Sequence, residues 1–99
     1  MNMQQMMAQA QKMQRELRKA QAELAAKEFV VSKGGAVTVT VYGSKQIKSV
    51  NIDADAFDAD NKDMVEDMIA LAINEAIKQI EAEFNEANER ITGRAGGLF

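Results

Sequence analysis

Met3, Met6, Ala10, Met13, Leu17, Ala20 and Leu24 recur at alternating steps of three and four. That is the a/d spacing of a heptad, and it gathers all seven side chains onto one stripe of an α-helix from about Met3 to Lys27. At 1.5 Å per residue such a helix is ~37 Å long. Lys12, Arg15, Arg18 and Lys19 fall at b, c and f positions, on the opposite face. Any fold of this chain must cover the apolar stripe with a partner element and leave the cationic stripe in water. Ala10 and Ala20 within the seam permit close approach of that partner.

The period then changes from 3.5 to two. Phe29, Val30 and Val31 form a short apolar strand. Lys33-Gly34-Gly35 reads as a turn, with glycine supplying positive φ. Val37, Val39 and Val41 alternate with Thr38, Thr40 and Tyr42, the signature of a strand with one buried face. Gly43-Ser44-Lys45 is a second turn. In the third strand, Ile47 to Ile52, Val50 and Ile52 are in phase and Ile47 is out of phase, which predicts a bulge or an edge position near Lys48. An acidic loop from Asp53 to Asp63 leads into a second helix, from about Asp60 to Ile91, with Asp60 as its N-cap and Asp63, Glu66 and Asp67 complementing the positive end of its dipole. The first half of this helix is apolar over a broad face (Met64, Val65, Met68, Ile69, Leu71, Ala72, Ile73, Ala76) and is expected to pack on the sheet. The second half narrows to Ile73, Ile77, Ile80, Phe84, Ala87 and Ile91 and is expected to project and meet another helix.

The order is α-β-β-β-α: an α+β domain with a long N-terminal helix, a three-stranded antiparallel meander and a long C-terminal helix. Residues 1–99 form one domain, in which 93–99 read as a flexible glycine-rich tail carrying Gly93, Gly96 and Gly97. Aromatic residues make up only 5% of the chain, so the core must rest on Val, Ile, Leu, Met and Ala. Two long helices and a small sheet bury little within one chain, and a homodimer with projecting helices is expected. The apolar residues expected to close the core or the dimer seam are Met6, Ala10, Met13, Leu17, Ala20, Leu24, Ile77, Ile80 and Phe84.

Cysteine and histidine are both absent from the sequence. That excludes a disulfide framework and a thiol nucleophile, and it removes the commonest general base and metal ligand. No serine has a histidine partner, and Gly34-Gly35 lacks the flanking pattern of a phosphate loop. The run Asp53, Asp55, Asp58, Asp60, Asp63 suggests calcium, but an EF-hand reading from Asp53 places Phe57 and Met64 at loop positions 5 and 12, where oxygen ligands belong. Met3, Met6 and Met13 read as packing residues rather than a soft-metal site. Neither catalysis, a metal, a cofactor nor a small-molecule substrate is expected. No stretch is apolar enough to span a bilayer, and no N-terminal apolar signal segment is present, so a cytoplasmic protein is expected.

The net charge of −3 argues against a simple polyanion binder, but its distribution is informative. Residues 1–50 hold eight Lys/Arg against three Glu, a balance of +5, while residues 51–99 hold four against twelve, a balance of −8. Such a split fits nucleic-acid contact by the basic half, pairing of the halves across a dimer, or both.

Several segments, in order along nearly the whole chain, resemble the YbaB/EbfC family of nucleoid-associated DNA-binding proteins. They are Gln9-Ala10-Gln11-Lys12-Met13-Gln14 and Gln21-Ala22-Glu23-Leu24 in the first helix, Gly35 to Thr40 and Ile47 to Asp53 in the strands, and Glu66 to Ala76 in the second helix. The resemblance implies a bacterial homodimer on the nucleoid whose projecting helices embrace duplex DNA like tweezers, altering its conformation and affecting gene expression or chromosome organisation. Ala54 stands after Asp53 where family members often carry proline.

Lys12, Arg15, Arg18 and Lys19 are the main candidate DNA contacts, since cations on one helical face reach successive phosphates and release condensed counterions. An ordinary solvated face is the competing reading of the same residues, and the charge split together with the resemblance favours DNA. Lys27, Lys33, Lys45 and Lys48 are weaker candidates. Arg90 sits in the last turn of the second helix, where a cation is favoured anyway. Arg94 is placed in the glycine-rich tail, as a basic arm for a minor groove or, in the competing reading, a disordered tail arginine. Asn2 and the glutamines show no base-reading pattern, so weak sequence preference is expected. The alternative function is a coiled-coil interaction module that binds a protein partner through its helix seams.

Overall fold

The structure, a computed structural model, describes residues 2–94, the side chain of Arg94 excepted. The elements are α1 (Met3–Ala26), β1 (Glu28–Lys33), β2 (Val37–Tyr42), β3 (Ile47–Ile52), two short 3₁₀ turns (Ala54–Ala56 and Ala59–Asn61) and α2 (Lys62–Arg94). The α-β-β-β-α order and the antiparallel sheet β1-β2-β3 are those expected. The molecule is a rod of 69 × 18 × 14 Å.

The sheet base holds the core. Phe29 and Val31 of β1 and Val37, Val39 and Val41 of β2 point to one face and are buried. Val65, Ala72, Ala76 and Ile80 of α2 cover them. Ala72 and Ala76 are small enough for the helix axis to lie close over the valines. Each fully buried Val or Ile contributes roughly 1.5–3 kcal/mol, which explains why the base closes without tryptophan. The phase break in β3 is a bulge: Thr40 pairs with Ser49 and Val41 with Ile47, so Lys48 is the extra residue. The bulge returns Ile47 to the face shared by Val50 and Ile52.

The second half of α2 leaves the sheet, and α1 packs along it in the opposite direction. Ala87 and Ile91 are buried in this arm, outside the sheet cluster. They lie opposite the half-buried Ala10, Met13, Leu17, Ala20 and Leu24 of α1. The stripe therefore meets a helix of its own chain. No residue of α1 is fully buried; along most of its length it packs against α2 alone among the described elements. Met3 and Met6 remain 76% and 48% exposed, so the stripe continues past its cover.

Several local readings change. Helix α1 starts with a capping box: the Gln5 N–H donates to Asn2 Oδ1 at 2.8 Å, and the Gln5 side chain accepts from the Asn2 N–H. Strand β1 runs from Glu28 to Lys33, three residues longer than its apolar run, because Ser32 and Lys33 pair with Thr38 and Val37. Asp60 is not the N-cap of α2. It lies inside a 3₁₀ turn whose own cap is Asp58, which accepts from the Asp60 N–H at 2.9 Å. Helix α2 continues through Gly93 to Arg94, so Arg94 ends a helix rather than sitting in a tail. The remaining tail residues, 95–99, lie outside the described residues.

Candidate nucleic-acid interface

Lys12, Arg15, Arg18 and Lys19 occupy the side of α1 turned away from α2, within an arc of about 120° at 3.6 residues per turn. All four are exposed, and none forms an ion pair among the described residues. Helix α1 itself carries only Glu16 and Glu23 as acids, and none in its first turn. The carboxylates of the arm belong mainly to α2, where Glu81, Glu86 and Glu89 are exposed. One side of the arm is thus mainly cationic and the other mainly anionic, so the α1 side is the one that favours approach to a polyanion.

The other lysines of the basic half are engaged. Lys27 Nζ lies 2.6 Å from Glu83 Oε1 and 5.1 Å from the centre of the Phe29 ring. Lys33 pairs with Glu75 at 2.7 Å, and Lys45 with Glu81 at 3.4 Å. Lys48 pairs with Glu28 and lies 5.9 Å from the Tyr42 ring centre. The hydrogen bond to Glu28 and the charge of that carboxylate raise the Lys48 pKa above 10.5. A lysine with a raised folded-state pKa gives its full contribution below the unfolded value and loses it only as pH climbs through the folded one, so this pair is intact at neutral pH. Lys62 is raised in the same way by Glu66, 2.5 Å away on the same helix.

The structure does not bring all expected site residues together. Lys27 sits at the root of the arm with its charge directed to Glu83. Arg90 is exposed and borders a groove of about 300 Å³ between the helices, shared with Glu23, Glu83 and Glu86. Arg94 lies at the end of α2. Among the described residues, no acidic cluster suited to a metal ion occurs, and no helix is long and apolar enough to cross a membrane.

One positioning residue escaped the sequence reading. Gly43 reads as a turn glycine, yet its φ is not positive. Its role is close approach: a Cβ there would stand 1.8 Å from the Leu24 carbonyl oxygen. The Gly43 N–H donates to the Lys27 carbonyl at 2.9 Å and the Ser44 N–H to the Ala25 carbonyl at 3.1 Å. The β2–β3 turn therefore satisfies carbonyls at the end of α1 and fixes where the cationic rod leaves the sheet. The glycine alone gives no sequence signal for this, because the contact spans non-adjacent elements.

Comparison with known proteins shows the fold and the family. A crystal structure of an uncharacterized protein, HP0035 from Helicobacter pylori, has the same fold, with a TM-score of 0.69 over 87% of this chain and 91% of that one at 20% identity. A nucleoid-associated protein of Clostridium novyi is 46% identical over 94% of this chain and 82% of its own length. One from Ruminiclostridium cellulolyticum is 41% identical over 98% and 85%, and one from Chloroflexus aurantiacus is 37% identical over the full length of both. The sequence profile of the YbaB/EbfC DNA-binding family matches residues 1–95, and the chain belongs to that family.

Proposed function

We propose that this protein is a nucleoid-associated protein that binds duplex DNA through the cationic face of α1. It works as a homodimer with weak sequence preference in the bacterial cytoplasm, altering DNA conformation and thereby nucleoid organisation and gene expression. The observation that carries this reading is the row Lys12, Arg15, Arg18 and Lys19, exposed and without carboxylate partners among the described residues. Basic side chains along a helical rod meet phosphates, which supply affinity without reading sequence. The acidic side of the arm orients the rod and limits its affinity. Binding is expected in the non-specific range, Kd ~10⁻⁴–10⁻⁶ M at physiological salt for each binding unit. Family membership and the names of the relatives support the same reading. Arg90 and Arg94, at the end of α2, are secondary DNA contacts in this proposal, and Lys27 joins them only by giving up Glu83.

The competing reading, a coiled-coil module for a protein partner, needs the apolar stripe of α1 to be available. From Ala10 to Leu24 that stripe is already half-covered by α2. The test is fluorescence anisotropy with two unrelated duplexes, using wild type and the variant Lys12→Gln/Arg15→Gln/Arg18→Gln/Lys19→Gln. Similar affinity of the wild type for both duplexes and loss of both in the folded variant support the proposal. Unchanged binding in the variant refutes the site.

A further inference from the structure

The apolar stripe of α1 is longer than the helix that covers it. Ala10, Met13, Leu17, Ala20 and Leu24 are half-buried, whereas every residue from Asn2 to Gln9 is exposed. Met6 is 48% exposed and Met3 76%. The register of the two helices gives the reason. The groove between them has Ala20, Leu24 and Lys27 on one wall and Glu83, Ala87 and Arg90 on the other. Counted outward from that groove along antiparallel helices, α2 reaches its last residue, Arg94, between the levels of Leu17 and Met13. At 1.5 Å per residue, Met6 then lies ~10–15 Å beyond the end of α2.

The chain that follows Arg94 has the length and the chemistry to cover this overhang. Its residues are Ala95, Gly96, Gly97, Leu98 and Phe99. At about 3.4 Å per extended residue, Leu98 reaches ~14 Å and Phe99 ~17 Å from Arg94, which brings both to the level of Met6 and Met3. No charged side chain lies between Arg94 and Phe99, so this segment meets an apolar surface without desolvating an ion. Gly96 and Gly97 give the backbone the freedom to lie against a neighbouring helix. A thioether is a favourable neighbour for an aromatic ring. A segment tethered by so few residues acts at an effective concentration in the millimolar range, which favours it over any separate chain at micromolar concentration.

We propose that Leu98 and Phe99 fold back from the end of α2 onto the uncovered stripe of α1 in the same chain and lie over Met6. The docked segment completes the cover of the arm at its tip. It lies opposite Lys12, Arg15, Arg18 and Lys19, leaves them open, and stands independently of the DNA-binding proposal.

The experiment uses the full chain without DNA and compares wild type with Leu98→Ser/Phe99→Ser, the fold of both being checked by circular dichroism. Hydrogen peroxide converts accessible methionine to its sulfoxide, and mass spectrometry reads the rate at each residue. A docked fraction of about nine-tenths makes Met6 react about tenfold more slowly in wild type than in the variant. Met7, itself 57% exposed and about 100° further round the helix, should react at the same rate in both. A filtered NOE experiment on mixed ¹³C-labelled and unlabelled chains then identifies the source of the cover. The Met6 methyl should contact the Phe99 ring within one chain and not between differently labelled chains. An equal Met6 rate in the two proteins, equal protection of Met7, or a Met6 contact found only between differently labelled chains would each overturn the proposal.

Discussion

The eight basic residues of the first fifty divide into two groups of four, and the structure treats them differently. Lys27, Lys33, Lys45 and Lys48, around the sheet base, each lie within ion-pair distance of a glutamate. Lys12, Arg15, Arg18 and Lys19, along α1, have no such partner among the described residues. Equal numbers of charges in sequence thus become unequal fields in space. At the base, Lys27, Lys33 and Lys45 pair with glutamates of the acidic half and Lys48 pairs with Glu28, whereas the arm presents its cations to solvent. A surface that already satisfies its charges gains little from a phosphate, because each carboxylate must first be displaced. A surface that does not can exchange condensed counterions for protein directly.

The largest effect is therefore expected from neutralising the arm. Releasing about one counterion per phosphate contact is worth close to tenfold at 0.1 M salt. Replacing Lys12, Arg15, Arg18 and Lys19 together by Gln should weaken duplex binding by about 10³-fold, measured by anisotropy. Next comes Gly43→Ala, which acts where the two regions join. The added methyl must displace the Leu24 carbonyl, and it should cost about 2–4 kcal/mol in denaturant unfolding. A smaller response is expected from Lys33→Gln/Lys45→Gln/Lys48→Gln. These pairs are about half exposed, so their loss should change stability little and leave DNA affinity within about twofold of wild type if they contact no phosphate. A loss comparable to that of the arm variant would erase the contrast between the two groups. The smallest effect is a gain. Lys45 adopts φ 72°, and Lys45→Gly should stabilise the base by about 0.5–1 kcal/mol in thermal or denaturant unfolding, with arm-mediated DNA binding unaltered.

Much of this was legible in the amino-acid order, for identifiable reasons. The seam of α1, the alternation of Val37, Val39 and Val41 and the phase slip at Lys48 are local patterns, and periodicity alone predicts where such side chains point. The narrow stripe on the second half of α2 likewise announces a helical partner. That this partner is α1 of the same chain, burying Ala87 and Ile91, is set by the chain's reversal through the sheet, which no local pattern encodes. The same limit applies to the site. Spacing places Lys12, Arg15, Arg18 and Lys19 on one face, but it gives no hint that Lys27 is bound to a glutamate fifty-six residues away. Asn2 and Gln5 did carry a readable capping signal. Gly43 did not, since its function is to leave room for a carbonyl from another element.

The extent of α2 follows similar logic. Gly93 reads as a stop, yet the helix passes through it. Ile91 is buried only two residues earlier, and packing there outweighs the ~1 kcal/mol preference of glycine against a helix. Tertiary burial thus overrides local propensity at the end of the arm, as the close approach at Gly43 overrides turn chemistry at its root.

The central claim is that the open cations of α1 are what this protein offers to DNA. Its most direct test is the slope of log Kobs against log salt concentration for one duplex, compared between wild type and the variant with all four residues changed to Gln. Each phosphate contact removed lowers the magnitude of the slope by about 0.9, so the account predicts a slope shallower by about 3–4 for each arm engaged. A folded variant with the slope and affinity of the wild type would contradict it.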